Sequence, residues 1–174
     1  MSRVDFYLSK EPSWKKDNKI WKKSNASKIR KGNVYFASCL SNLPINESFK
    51  FKRQLEDLSD AIECNGFVGV VPHRDTDPEK NLDASASLVY ETDLQKILTS
   101  NLIVADLSYS STGLGMELEI AKCNGIPVIA MCKVGSVVSR MALGSPALVA
   151  FIEYENEKDV KDKLGALLTN RDIN

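Results

Sequence analysis

Short apolar runs recur along the chain from residue 33 onward. They are rich in strand-forming residues and lie at 33–38, 66–72, 102–107, 126–132 and 147–154. Each run is apolar at nearly every position rather than at alternate positions, which is typical of strands covered on both faces. The pattern therefore predicts five buried strands.

The segments between these runs have the spacing of helices. We expect helices at 48–64, 86–99, 115–124, 136–142 and 156–168. The first of them places four apolar residues on one helical face: Phe51, Leu55, Leu58 and Ile62. In the second, Leu94, Ile97 and Leu98 are predicted to face inward. Asn124-Gly125 is a typical end for the third.

Strands that alternate with helices predict an α/β fold. We expect a doubly wound, mostly parallel five-stranded sheet with helices on both faces, of the flavodoxin or Rossmann type. In such sheets, ligands bind beyond the carboxyl ends of the strands. The chemistry is therefore expected in three loops: 37–47, 72–87 and 107–116.

The charge divides the chain into two parts. Residues 1–32 carry ten lysines and arginines against three acidic residues, and the net charge of the chain is zero, so residues 33–174 are acidic. We interpret 1–32 as a basic N-terminal extension and 33–174 as the α/β domain. The extension is either loosely docked or contacts a polyanion such as nucleic acid or an acidic membrane surface.

Composition narrows the functional classes further. Hydrophobic residues make up 43% of the chain, and no apolar run approaches the roughly 20 residues of a membrane span. The four cysteines show neither a CxxC pair nor metal-ligand spacing, which indicates free thiols and a cytoplasmic location. We therefore expect no metal and no cofactor.

The stretch SSTGLGMELEIA, residues 110–121, follows the third predicted strand. Gly113 and Gly115 are expected to let the backbone turn tightly into the next helix, whose free amides favour anions. Ser111 adds a hydroxyl donor. The same residues also suit an ordinary strand-to-helix turn, and Glu117 in the first helical turn also suits simple dipole stabilisation. The stretch lacks the Gly-Lys-Ser/Thr of a Walker loop.

Three other residues are candidates for chemistry. Asp93 lies near the start of its predicted helix, either solvated or at the seam with the sheet, and Tyr35 in the first strand is by default a core aromatic. His73, the single histidine, lies in a polar loop that looks mobile, and we do not expect a Ser–His–Asp or Cys–His mechanism to depend on it.

Three segments together resemble a known family. VYFASCL, then VYETDLQKILTSNLIVADLSYSSTGLGMELEIAKCNGIPVIAM, then VVSRMALGS are similar in order and spacing to the nucleoside 2-deoxyribosyltransferase family. The nearest branch is the 2'-deoxynucleoside 5'-phosphate N-hydrolases. The resemblance covers about residues 33–168 and leaves the basic extension unexplained.

The resemblance implies three catalytic residues. Glu117 corresponds to the nucleophile that attacks the anomeric carbon and forms a glycosyl-enzyme ester. Asp93 corresponds to the residue that protonates the departing base and positions sugar or water, and Tyr35 orients the nucleophile. Two carboxyl groups suit a double displacement at a glycosidic carbon. We expect Glu117 to be ionised and Asp93 to hold its proton.

The resemblance also implies a phosphate site and a homodimer. Ser111 stands where the transferases carry an aspartate, and Ser139 where they lend an amide side chain from the neighbouring subunit; the N-hydrolases have serine at both. The implied substrate and phosphate residues are Ser38, Cys39, Leu40, Ser111, Gly113, Gly115, Ser139 and Met141. A carboxylate at 111 would repel a phosphate, whereas a serine donates a hydrogen bond.

Two departures keep alternatives open. The loop after the first strand has no arginine, and Glu119 stands where the family prefers glycine. The expected activity is hydrolysis of a (2'-deoxy)nucleoside 5'-monophosphate, with Tyr35 favouring deoxyribose. The alternatives are a nucleoside 2-deoxyribosyltransferase and a non-catalytic nucleotide-binding or sensing module.

Overall fold

The computed structural model describes residues 20–22, 29–40, 43, 45–77 and 79–169. It contains one six-stranded sheet. The strands are β1 (Ile20–Lys22), β2 (Asn33–Ser38), β3 (Val68–Val70), β4 (Leu102–Asp106), β5 (Val128–Lys133) and β6 (Leu148–Tyr154). Their order across the sheet is β1-β6-β5-β4-β2-β3.

Helices occupy all five predicted segments, but the fourth begins four residues later than its predicted start at 136. They are α1 (Ile45–Glu63), α2 (Ala86–Leu98), α3 (Thr112–Cys123), α4 (Arg140–Leu143) and α5 (Glu157–Thr169), with a short 3-10 helix at Pro72–Arg74. Helix α3 begins three residues earlier than expected, because the Ser111 side chain caps it by accepting a hydrogen bond from the Leu114 amide. None of the helices in the described ranges is long and apolar enough to cross a membrane.

The predicted fold class is confirmed, with one strand added. Strands β2 to β6 pair in parallel, as expected for the five apolar runs. Strand β1 pairs with β6 in antiparallel fashion, with Ile20 opposite Ile152. It belongs to the segment interpreted as an extension, where no alternating pattern marks a strand. Most of residues 1–32 lie outside the described residues, so the domain boundary and the polyanion contact stay predictions.

The sheet separates two apolar layers. On one face, Val34 and Phe36 of β2 pack with α1 and α5. On the other face, Tyr35 and Ala37 pack with α2 and α3. The alternation of β2 therefore turns the Tyr35 side chain towards the two helices that carry Asp93 and Glu117.

One residue that was predicted to face the core, Leu98, is exposed instead. In α2, Ile97 is fully buried, but Leu98 is 43% exposed and Leu94 is only half-buried. The helix rests on the sheet along a narrower stripe than its run of apolar residues suggested, and this leaves room for the polar side chain of Asp93 beside the stripe.

Helix α1 packs closely against the outer strand β3. A Cβ atom on Gly69 would come 1.8 Å from the Ser59 hydroxyl oxygen and 3.1 Å from the Ser59 Cα atom. Helix α1 can therefore lie directly on β3 only because residue 69 has no side chain.

We predict that Gly69→Ala lowers the free energy of unfolding by about 1–3 kcal/mol, because the helix must move away from the strand. Gly165→Ala is the matched control: its Cβ would meet nothing within 4 Å, and alanine favours the α5 helix. Urea unfolding of both variants checks this. Equal stability of Gly69→Ala and the unmodified chain would show that α1 does not approach β3 so closely.

Candidate active site

The centre of the site is a hydrogen bond between a buried phenol and a buried carboxyl group. The Tyr35 hydroxyl donates to Glu117 Oε1 at 2.7 Å, and the Tyr35 side chain is completely buried. Burial, with the nearby carboxylates of Glu117 and Asp93, raises the pKa of Tyr35 well above its usual value. The phenol therefore keeps its proton and serves as a permanent donor to Glu117.

Helix α3 carries Glu117 in its second turn. Leu114, Leu118 and Ala121 bury one side of the helix, and no acidic residue lies in the first turn. Burial raises the pKa of Glu117 to about 8; the Tyr35 hydrogen bond offsets part of this, and the charge of Asp93 adds to it. The expectation that Glu117 is ionised is therefore wrong for the unliganded protein at neutral pH. Loss of water outweighs the helix dipole, which acts mainly in the first turn.

The second oxygen of this carboxyl group has no partner. Glu117 Oε2 is buried and finds no hydrogen-bond donor among the described residues. A buried, unpaired carboxyl oxygen is costly and is often completed by a bound molecule. Since Oε1 is occupied by Tyr35, Oε2 is the oxygen that remains free for a ligand.

Asp93 is the third member of the group. It lies in the middle of α2, not near the start of the helix as expected, and its side chain is half-buried. Burial raises the pKa of Asp93, while Thr76 and Lys96 partly oppose this. Its charge raises the pKa values of both Tyr35 and Glu117, so the three residues lie within electrostatic range. The structure thus brings together the three residues predicted to be catalytic.

The predicted phosphate residues after β2 lie at the carboxyl end of the sheet. Cys39 is fully buried and Leu40 is half-buried. Ser38 is buried, and its hydroxyl has no partner among the described residues. By strand alternation, the Ser38 side chain lies on the α1 face, opposite Tyr35. It is therefore not brought next to Glu117.

The tight turn predicted at the two glycines is not formed. Gly113 and Gly115 lie inside the first turn of α3, and neither has a positive φ. A Cβ on Gly115 would meet nothing within 4 Å, and one on Gly113 would meet only the Ser111 hydroxyl at 3.7 Å. The expectation is wrong because the helix already begins at Thr112. The glycines instead leave the amino end of α3 uncovered by side chains.

The other predicted substrate residues surround a separate cavity. It has a volume of about 290 Å³ and lies between α3 and residues 137–145. Four predicted residues line it: Ser111, Gly115, Ser139 and Met141. Tyr35, Asp93 and Glu117 are not among its lining residues. Ser139 precedes α4, but its side chain makes no capping hydrogen bond. Within one chain, the cavity lined by Ser139 and Met141 is thus separate from the group formed by Tyr35, Asp93 and Glu117.

A buried polar network that the sequence did not predict lies at the end of β4. Asp106 is fully buried and accepts hydrogen bonds from the Ser108 amide at 2.9 Å and from the Tyr154 hydroxyl at 2.7 Å. Gln54 of α1 donates to the same tyrosine oxygen at 3.1 Å. Burial raises the pKa of Asp106, and these hydrogen bonds partly offset it. The network anchors the turn that leads into α3. The one signal in the sequence was a single charge inside the apolar run LIVADL.

The loop after β3 is attached to α1 by ion pairs and by a contact of His73 with Glu56. His73 lies 2.8 Å from Glu56, which also pairs with Arg74, and Lys52 lies 2.9 Å from the buried Asp77. Burial lowers the pKa of His73, and Glu56 partly offsets this. The part of the loop around His73 is therefore fixed rather than mobile as its composition suggested, and the histidine serves to attach it.

The remaining reactive groups are the cysteine thiols and the side chains of types that can bind a metal. All four cysteines are free; Cys39 and Cys132 are buried, and Cys64 and Cys123 are exposed. Within the described residues, no group of three or more His, Cys, Asp or Glu side chains is arranged to hold a metal ion.

We predict that Glu117→Gln stabilises the protein at alkaline pH. Because its pKa is raised from 4.5 to about 8, the folded chain binds more protons than the unfolded chain between these values. The free energy of unfolding therefore falls as pH rises through this range, and glutamine removes this fall. We expect the variant to exceed the unmodified chain by roughly 2–4 kcal/mol near pH 8, with the difference vanishing near pH 4.5.

Urea unfolding at several pH values measures this difference. Glu119→Gln is the matched control, because Glu119 lies on the same helix but is exposed and has a lowered pKa owing to Lys122. A constant difference between Glu117→Gln and the unmodified chain at every pH would contradict the raised pKa.

Part of the chain is similar in sequence to a known protein. No protein-family model matches the chain. A protein of Syntrophotalea carbinolica, provisionally named 2'-deoxynucleoside 5'-phosphate N-hydrolase 1, is 34% identical over 70 residues. The match covers 39% of this chain and 49% of that protein, so the chain spans about half the length of the curated relative it matches.

Solved structures share the fold. A CMP N-glycosidase from Clostridium botulinum superposes with a TM-score of 0.57 at 20% identity, over 76% of this chain and 97% of its own. A 2-deoxyribosyltransferase from Bacillus psychrosaccharolyticus gives 0.57 at 22% identity, over 78% and 95%. A conserved protein from Enterococcus faecalis V583 gives 0.60 at 17% identity, over 78% and 98%. The chain therefore resembles the nucleoside 2-deoxyribosyltransferase family in sequence over part of its length and in fold over most of it.

Proposed function

We propose that the protein hydrolyses the N-glycosidic bond of a (2'-deoxy)nucleoside 5'-monophosphate, releasing the free base and (deoxy)ribose 5-phosphate. The observation that carries this proposal is the buried Glu117 carboxyl group. One of its oxygens is held by Tyr35 at 2.7 Å, and the other is buried without a partner. The names of the curated relative and of the Clostridium botulinum enzyme support the same bond and the same class of substrate.

The first chemical step forms a glycosyl-enzyme ester. Glu117 Oε2 attacks the anomeric carbon as the bond from that carbon to the base nitrogen breaks. The electron pair of the broken bond goes to the base, which takes a proton from Asp93. Tyr35 keeps Oε1 in place, so the free oxygen meets the sugar in a fixed orientation.

The second step releases the sugar. Water attacks the same anomeric carbon, its proton passes to the Asp93 carboxylate, and Glu117 leaves as a carboxylate. Asp93 thus returns to its acid form and the enzyme is ready for another cycle. The first step therefore requires Glu117 ionised and Asp93 protonated when substrate is bound, and the second requires Asp93 as a carboxylate.

In the unliganded protein, burial raises the pKa of both carboxyl groups, that of Glu117 to about 8. The two groups titrate as a coupled pair, and the reactive state is the one that holds a single proton. We therefore expect kcat/KM to follow a bell-shaped pH profile with its alkaline limb near pH 8.

A phosphate site at the start of α3 fits the serine at position 111. The Ser111 Oγ atom accepts a hydrogen bond from the Leu114 amide, so its own proton remains available to donate. Gly113 adds no side chain there, and the amino end of a helix attracts an anion. An aspartate at position 111, as the transferases of this family carry, would instead repel a phosphate.

Completion of the site by a second subunit is part of the proposal. Ser139 and Met141 line the cavity that is separate from Glu117, and Met141 is 87% exposed. We propose a homodimer in which Ser139 of one subunit reaches the substrate phosphate in the other. A cytoplasmic location likewise stays a prediction from the cysteine content.

The experiment is a release assay with a panel of nucleosides and 5'-nucleotides, with and without a second free base. We expect base release from nucleotides alone, and a loss of roughly a thousandfold or more in Glu117→Gln. Asp162→Asn is the control, because Asp162 is exposed on α5, on the opposite face of the sheet, and this variant should keep its activity. Mass spectrometry of the protein quenched during turnover should show the sugar phosphate bound to a peptide that contains Glu117.

Other outcomes identify other functions. Exchange of bases on unphosphorylated nucleosides would indicate a nucleoside 2-deoxyribosyltransferase. Tight nucleotide binding without turnover, unchanged in Glu117→Ala, would indicate a non-catalytic binding or sensing module. Either result would replace the proposed hydrolysis.

Mixing two inactive variants tests the shared site. Glu117→Gln and Ser139→Asp are each expected to be inactive, the second because a carboxylate repels the phosphate. Random exchange into mixed dimers restores one intact site in half of the dimers, so about a quarter of the activity should return. No recovery after exchange confirmed by native mass spectrometry would contradict the shared site.

A further inference from the structure

Thr76 makes a contact with Asp93 that the sequence did not predict. It lies in the loop after the 3-10 helix and is buried. Its hydroxyl oxygen is 3.1 Å from Asp93 Oδ1 and 3.0 Å from the Pro72 carbonyl oxygen. A threonine hydroxyl has one proton, so it can donate to only one of these two acceptors at a time.

The Pro72 carbonyl does not depend on this hydroxyl. It already accepts hydrogen bonds from the amides of Asp75 and Thr76, both at 2.9 Å. Turning the Thr76 proton away from Pro72 therefore leaves no buried acceptor unsatisfied.

The contact persists in both protonation states of Asp93 that the proposed reaction uses. When Asp93 is a carboxylate, the Thr76 hydroxyl donates to Oδ1. When Asp93 is an acid, its proton lies on Oδ2, from which it can pass to the base, and Oδ1 still accepts from the Thr76 hydroxyl. Oδ1 therefore keeps the same donor in both states.

We propose that Thr76 is a positioning residue that holds Asp93 Oδ1 in place while Asp93 loses and regains its proton, leaving Oδ2 to face the substrate. This inference rests on the proposed function, in which Asp93 changes protonation state twice in each cycle. Without such a holder, each change of charge would let the half-buried side chain turn away from the base or the water.

The loop that carries Thr76 is fixed on both sides. Lys96 of α2 pairs with Asp75 at 2.7 Å, and Lys52 of α1 pairs with Asp77 at 2.9 Å. Thr76 therefore lies between two residues that are each attached to a different helix. Its oxygen is held by the backbone of this loop rather than by the rotamer of a long side chain.

Four groups besides Thr76 act electrostatically around Asp93. They are Glu117 from α3, Tyr35 from β2, Lys96 from the same helix and Asp75 from the loop. None of them changes when threonine is replaced by valine, which has nearly the same shape and lacks the hydroxyl. Thr76→Ser keeps the hydroxyl and is the matched control.

The test is a carbon-13 NMR titration of the aspartate carboxyl groups, together with the pH profile of base release. The hydrogen bond from Thr76 is stronger to the charged carboxylate than to the neutral acid, so Thr76→Val should raise the apparent pKa of Asp93. We expect kcat to fall about tenfold in Thr76→Val with KM changed by less than about twofold. Thr76→Ser should restore both the pKa and kcat.

The outcomes separate this inference from the proposed function. An Asp93 pKa and a pH profile unchanged in Thr76→Val would overturn it. The inference would also be overturned if Thr76→Ser lost as much activity as Thr76→Val, because that result indicates a packing role for the methyl group. If no nucleotide releases its base, the proposed function fails and Thr76 loses its catalytic role, while the titration still reports whether it bonds to Asp93.

Discussion

One hydrogen bond replaces only part of the solvation that a carboxyl group loses in this protein. The phenol of Tyr35 reaches a single oxygen of Glu117, and the other oxygen is left buried and bare. The free energy that water would have supplied is missing, which is why this acid keeps its proton to a pKa of about 8. This deficit originates in the close contact of β2 with α3.

The order of the strands explains why this contact exists. Strand β4 lies beside β2, although α1, β3 and α2 intervene in the chain. The helices before and after β4 therefore rest on the same face as Tyr35, and their carboxyl groups converge there. The opposite face supplies the rigidity: the Asp106–Tyr154–Gln54 network fixes the turn into α3 from the α1 side. A polar core on one face thus supports an acidic site on the other.

The sequence predicted what depends on local pattern. The five parallel strands were evident because burial on both faces leaves almost no polar position, and Tyr35, Asp93 and Glu117 were marked by residues in a recognisable order. What it did not predict depends on contacts between distant segments. Strand β1 exists through its pairing with β6, and the raised pKa of Glu117 depends on packing that no window of residues contains. Thr76 gave no signal, since a threonine between two aspartates is ordinary in a polar loop.

The two edge strands of the sheet differ in the backbone and apolar groups that they expose to another molecule. At one margin, the short antiparallel strand β1 already occupies three positions of β6. At the other, β3 is only three residues long, and Val68 is its main exposed apolar side chain. Backbone groups at the margins of sheets are where proteins recruit one another into continuous ribbons. Each marginal strand in the described part of the sheet has only three residues, so the ladder that it offers to another strand is short.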